Sequence, residues 1–390
     1  MFASNVSSND TDEEKCGNAV NMYNVFKPFI IILNTVGLHM PMERGTVANA
    51  ISIVYCVISQ LLIWITLCRY FIPYTDEIQT VGSLAATLSY AGFQVSGTYV
   101  CIATCVTINK HLPKFFKKYN SYREKYSSAV DNVTLRRTMK LFLILAASLN
   151  IILAPFLYFM SLHRVHIGVI YLRPIKLLPP EYFPAAKAVF FIVFQVVVSQ
   201  AALTLAFFTF LTYCLFKEFK QLNVELSTLF QKNEGTASTM CIERIRRQFE
   251  DTCSLVDTIN KVFMHMIGSA YFALVPIICL ILYVFIHAES MTKEYSMLIT
   301  CILFSTAVVA ASLYTSVVLN IKAHSSLMYL LVADFPELSD KDLHIIHIFI
   351  TRLTTTKIGY TIYSLFTIDS STILMLLGTL VTYVEVILQF

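Results

Sequence analysis

The chain has 390 residues, 56% of them hydrophobic and 14% charged, with a formal net charge of +4 and a mean hydropathy of +0.65. A soluble domain carries about 25% charged residues, so this composition, with 13% aromatics, excludes an ordinary soluble enzyme or binding domain and points to a polytopic membrane protein. The ten cysteines do not form a disulfide framework: most lie in apolar runs (Cys56, Cys68, Cys101, Cys105, Cys214, Cys279, Cys301), where a free thiol packs as a small hydrophobe.

In chain order, the first twenty residues are polar and acidic, without a basic start or an apolar core. No cleavable signal is expected, and insertion uses the first span. FKPFIIILNTVGLHMP (26–41) is too short to cross and is closed by Gly37 and Pro41, which predicts an interfacial or re-entrant helix. A span needs about 20 predominantly apolar residues. Seven runs qualify: 47–71, 78–107, 139–162, 184–216, 262–287, 296–321 and 358–390. The second, fourth and seventh exceed a simple span and are expected to tilt or to project as soluble helix.

With seven spans, 23 of the 29 Lys and Arg residues fall on the side that holds the N-terminus and the second, fourth and sixth loops. The positive-inside rule places that side in the cytoplasm and Phe390 outside. Sequons at Asn5 and Asn9 would require the opposite orientation, but Asn132-Val133-Thr134, in the most basic loop, shows how freely such tripeptides occur. The charge bias disfavours a G-protein-coupled receptor, whose N-terminus lies outside. A secondary transporter predicts an internal repeat and an ionisable residue near the midplane; neither is found.

The loop 109–137 mixes basic and aromatic residues and reads as a solvated face beside anionic headgroups, not as a nucleic-acid site. In 217–261 and 327–353, apolar residues recur at helical spacing, which predicts a cytoplasmic helical layer for packing or subunit contact. The expected organisation is a cytoplasmic N-terminus over 1–46, a six-helix transmembrane bundle over 47–321, cytoplasmic helices over 322–357 and a seventh helix over 358–390. His344 and His347 share a helix face, but no third ligand recurs at metal spacing. No nucleophile elbow, P-loop, HExxH or GxGxxG occurs, so catalysis, metal and cofactor have no support.

The last helix carries its own signal. With Gly378 at zero on a wheel of about 100° per residue, Ser371, Thr382, Glu385 and Gln389 fall within about 40° of it, while Tyr383 lies near 140°. A carboxylate facing lipid near the membrane centre costs about 2.5–3.5 kcal/mol, so the stripe faces protein or water. It is either a small-residue packing seam or one wall of a pore closed by symmetric copies, with carboxylate rings favouring cations.

The final nonapeptide TYVEVILQF (382–390) resembles the signature of insect gustatory receptors, matching at Thr382, Tyr383, Gln389 and Phe390 and departing at Glu385. IGYTIYSLFTIDSSTILMLLGT (358–379) resembles that family's approach to its last helix, and 26–41 its segment before the first span. The resemblance implies an all-α membrane protein of seven helices, an insect gustatory receptor in the plasma membrane of chemosensory neurons. It would act as a tetrameric ligand-gated non-selective cation channel, with self or related subunits as partners and no enzymatic activity.

The last helix would line the pore and Gln389 and Phe390 would gate it. A small-molecule tastant would enter a pocket in the first six helices; a bitter or plant-derived compound is expected, with a sugar as the alternative. Candidate contacts in the external halves are Gln79, Tyr90, Tyr158, Phe194, Gln195, Ser199, Tyr271, Tyr283 and Thr300. Gln195 and Ser199, one turn apart, lead them.

Overall fold

The computed structural model describes residues 22–39, 46–68, 81–126, 131–162, 179–231, 239–286, 295–332 and 340–389. They form α1 (Met22–Thr35), α2 (Thr46–Cys68), α3 (Val81–Lys125), α4 (Asn132–Leu162), α5 (Phe183–Gln231), α6 (Thr239–Ser269), α7 (Val275–Ile286), α8 (Tyr295–His324), α9 (Ser326–Val332), α10 (Asp340–Thr355) and α11 (Ser370–Gln389). A π-helical turn, Ala270–Leu274, joins α6 to α7. Two short strands, β1 (Thr361–Ile362) and β2 (Phe366–Thr367), pair antiparallel ahead of α11.

Among the described residues, five helical stretches are long and apolar enough to cross a bilayer: Ala91–Lys125, Gln195–Leu229, Met240–Ile286, Ile302–Leu331 and Ser370–Gln389. The expected first and third runs fall on α2 and α4. Both helices carry exposed apolar faces, Ile51, Val54, Ile58 and Leu61 on one and Leu141, Ile144, Leu145 and Ile151 on the other, as lipid-facing helices do. The chain is a multi-span membrane protein, and its described residues are helical apart from turns and two short strands.

At 1.5 Å per residue, the 45 residues of α3 and 49 of α5 extend about 68 and 74 Å, more than twice the roughly 30 Å hydrocarbon core. Their C-terminal halves therefore run on beyond the bilayer and pack into a layer with α6 and α10. Phe219, Phe249 and Phe349 stack edge to face there, with centroids 5.6 and 5.1 Å apart. Tyr119 donates to the buried Glu218 carboxylate at 3.0 Å, and Arg352 on α10 pairs with Glu250 on α6 at 3.1 Å.

The helix expected over 26–41 is α1. Val25, Phe26, Phe29, Ile30 and Leu33 recur every three to four residues and all are buried. Phe26 meets Phe116 and Phe210 at 5.2 and 5.3 Å, and Phe29 meets Phe207 at 4.8 Å. Gly37 ends the helix with φ +85°, and a Cβ there would strike Ser59 Oγ at 2.6 Å.

The seventh run needs correction. It was expected to be helical from 358, yet the helix begins at Ser370. The preceding stretch alternates instead: Tyr360 and Ile362 are buried while Thr361 and Tyr363 are half-buried, the period of a strand. Tyr363 and Ser364 turn the chain at φ 48° and 61°, left-handed values that a continuous helix cannot contain.

Candidate functional site: an apolar cavity and an outward polar stripe

Four helices enclose a cavity of about 50 Å³, room for a few water-sized groups at roughly 10–15 Å³ each. Phe93, Ser96, Gly97 and Val100 line it from α3, Val197, Val198, Ala201 and Leu205 from α5, and Phe304 and Val308 from α8. Met266, Ser269, Ala270 and Leu274 complete it from α6 and the π turn. The wall is almost wholly apolar. Its two hydroxyls, Ser96 and Ser269, bond each other at 2.6 Å, which uses one of the pair's two O–H donors. Phe93 and Phe304 meet edge to face across it, 6.1 Å apart.

Gln195 and Ser199 are brought together, with Gln195 Nε2 donating to Ser199 Oγ at 3.4 Å and Ser199 Oγ donating to Asn150 Oδ1 at 3.0 Å. They tie α5 to α4. At about 100° per residue they sit roughly 130° round α5 from its cavity-lining side chains, and the lining does not include them. Tyr271 packs against Phe366 of the hairpin at 5.3 Å, and Tyr283 is half-buried on α7. Gln79 and Phe390, with the side chains of Tyr90, Tyr158, Phe194 and Thr300, lie outside the described residues. Sequence reasoning missed the cavity because it searched for polar and aromatic candidates, and an apolar wall carries no such signal.

The last helix has two faces. Thr372, Leu376 and Ile387 are buried, with Leu380 and Tyr383 half-buried, and the buried face packs on α7. On the wheel these residues centre near 160°, on the far side from Gly378. Ser371, Gly378, Thr382, Glu385 and Gln389 are all exposed, and a Cβ at Gly378 would meet nothing within 4 Å. The polar stripe thus points away from its own bundle, flanked by exposed Leu374, Leu377, Val381 and Leu388 on one side and Met375 and Val386 on the other. Thr382 folds its hydroxyl back to the Gly378 carbonyl at 3.0 Å.

Local chemistry starts α11 where it does. Asp369 accepts the Thr372 amide at 3.1 Å and the hydroxyls of Ser371 and Thr372, an N-cap. The Ser371 hydrogen bond, with those from Thr372 and the Lys357 charge, holds the Asp369 carboxyl below the usual aspartate range.

A bundle of long apolar helices around a small apolar cavity, ending in a helix that turns its polar face outward, defines a multi-span membrane protein. The chain belongs to the 7tm chemosensory receptor family, whose model matches residues 38–390. A search of curated proteins finds no match. The fold is similar to the insect olfactory receptor OR5 from Machilis hrabei, with TM-score 0.72, 13% identity, and 95% of this chain and 99% of that one covered. It is similar also to the same receptor in complex with eugenol, with TM-score 0.69, 14% identity and the same coverage. These findings bear out the resemblance at the level of the insect odorant and gustatory receptor superfamily, a group of receptors and not of enzymes.

Proposed function

We propose that this chain is one subunit of a tetrameric, small-molecule-gated cation channel serving taste. The observation that carries the reading is the stripe of α11. A polar face with a carboxylate, turned away from its own bundle and flanked by apolar shoulders, satisfies its polar groups when four copies meet around water and the shoulders pack on neighbouring copies. A two-helix packing seam accounts for Ser371 and Gly378 but leaves Glu385 exposed to a neighbouring apolar face.

In this reading the N-terminus lies in the cytoplasm, seven spans cross the plasma membrane of a sensory cell, and the stripe ends at the external mouth near Gln389 and Phe390.

The cavity, about 50 Å³ in this structure and so required to widen around an aromatic compound, is the ligand site in this reading, as a small molecule, eugenol, is bound in the complex of the similar olfactory receptor. Its wall supports an apolar or weakly hydrogen-bonding compound of the bitter or plant-derived kind over a sugar. Each sugar hydroxyl buried without a partner costs about 1–3 kcal/mol, and the lining supplies one mutually bonded serine pair.

Currents recorded from cells expressing this chain alone test the proposal, with eugenol and a panel of bitter aromatics and sugars applied in turn. Evoked current that survives blockade of G-protein signalling, and falls in conductance with Glu385→Gln, supports it. Unchanged conductance in Glu385→Gln overturns the pore role of the stripe. A response confined to sugars overturns the assigned ligand class.

A further inference from the structure

We propose that the β1–β2 hairpin is the link through which the cavity moves α11, and that Tyr99, His265 and Tyr363 are the positioning residues that hold it. The inference rests on the channel reading above.

The hairpin leads directly into α11 and is fastened to the helices that line the cavity. Tyr363, at its turn, hydrogen-bonds Tyr99 of α3 at 3.1 Å, and the Tyr99 hydroxyl pairs with His265 Nδ1 of α6 at 2.6 Å. The Tyr363 ring lies against Gly268 so closely that a Cβ there would overlap it. Thr361 is bonded twice by Asn260 of α6, and Tyr360 pairs with Thr212 of α5 at 2.8 Å. Tyr99 lies between cavity-lining Gly97 and Val100, and His265 precedes cavity-lining Met266. A displacement of either helix by an occupant therefore carries the hairpin's attachment points with it.

The π turn strengthens the connection. Its Ala270 and Leu274 line the cavity, while Phe272 stacks on Tyr363 at 6.3 Å and Tyr271 meets Phe366 at 5.3 Å. One turn thus presents its two end residues to the cavity and Tyr271 and Phe272 to the hairpin. π-helical turns are rare and concentrate at functional sites. A cause is in the sequence: a proline in a regular helix clashes with the carbonyl four residues earlier, and Pro276 follows this turn by two residues. Beyond the hairpin, Asp369 caps α11 two residues after β2 ends, so the strand and the helix move together.

A built-in occupant tests the link without requiring a known ligand. Ala201→Phe places a ring in the cavity. Spontaneous current, normalised to surface-labelled protein, is compared in the parent, Ala201→Phe, His265→Ala/Tyr363→Phe and the combination. The proposal expects Ala201→Phe to change the current by about fivefold or more, within the usual range of site-to-site coupling, and the change to shrink below about twofold when the tyrosine–histidine contacts are cut. Gly268→Ala, which pushes the Tyr363 ring away, should reproduce that loss. His265→Asn, which retains an acceptor for Tyr99, should preserve the coupling.

An equal response to Ala201→Phe with and without the contacts overturns the link while leaving channel and cavity standing. No response in the parent background overturns the link too, because the filled cavity then fails to reach the pore. Absence of both spontaneous current and current evoked by the compound panel in every version, with protein at the surface, overturns the channel reading and the link with it.

Discussion

Replacing Asn260 with alanine should loosen the hairpin without unfolding the bundle. Asn260 Nδ2 donates to Thr361 Oγ1 at 2.7 Å, and Asn260 Oδ1 accepts the Thr361 amide at 3.1 Å. Each such bond contributes about 0.5–1.5 kcal/mol net, so losing both costs about 2 kcal/mol, which is roughly 30-fold in the docked-to-undocked ratio. Other attachments persist: Asn320 donates to the Ile358 carbonyl at 2.7 Å, and the Ile358 amide donates to His324 Nε2 at 3.2 Å. The opening is therefore local.

Hydrogen exchange in detergent reads it at the amides of Leu365 and Ile368, which bond Ile362 and Tyr360 carbonyls at 2.8 and 2.9 Å. Both should exchange about 30-fold faster in Asn260→Ala, and peptides from α8 should not change. Asn260→Asp, which retains the acceptor but loses the amide donor, should fall between. Unchanged exchange at both amides would show that Asn260 does not hold the hairpin, and acceleration spread evenly over the bundle would show that the opening is not local.

Asp369→Ala should cost about 1 kcal/mol by removing the cap of α11, seen as faster exchange in its first turn. Because the Asp369 carboxyl is held below its ordinary value, its contribution is full above the unfolded aspartate pKa near about 3.9 and is lost as pH falls through the depressed folded value. Thermal stability of the parent should therefore drop more steeply on acidification than that of Asp369→Ala; parallel curves would contradict the cap. Gln195→Leu should lower stability by about 0.6 kcal/mol, and at most about 1.7, and leave the concentration of any activating compound needed for half-maximal current within about twofold. A tenfold shift would instead put Gln195 in contact with the ligand. Tyr360→Phe should cost about 1 kcal/mol, the low end for a buried hydroxyl pair, because Thr212 keeps its second bond to the Phe208 carbonyl at 2.8 Å. A loss above about 3 kcal/mol in the unfolding free energy would show that the pair does more than this.

What the sequence made legible follows from where its signals are strong. Long apolar runs and the 3.6-residue period place the helices, and the 100° wheel of α11 places Ser371, Gly378, Thr382, Glu385 and Gln389 on one exposed face. Those patterns are local, so one chain suffices to read them. The cavity is not local: Ala201, Gly97 and Met266 matter there because three helices bring small or flexible side chains to one spot, and each reads alone as ordinary core. The hairpin was concealed differently. Its residues are apolar enough to extend a spanning helix, and the strand signal is only the short alternation Tyr360–Thr361–Ile362–Tyr363. Gly268 and Pro276 were the remaining hints, a missing side chain and a missing donor in the middle of a span.

The central claim is that the outward stripe of α11 faces water on a channel axis. Single cysteines placed along α11 and treated with a charged methanethiosulfonate reagent during recording test it most directly. Modification and altered current are expected at positions 371, 378, 382, 385 and 389, and none at 376 or 387, whose native side chains are buried. Modification centred on the 376–387 face, or scattered without helical period, would contradict it.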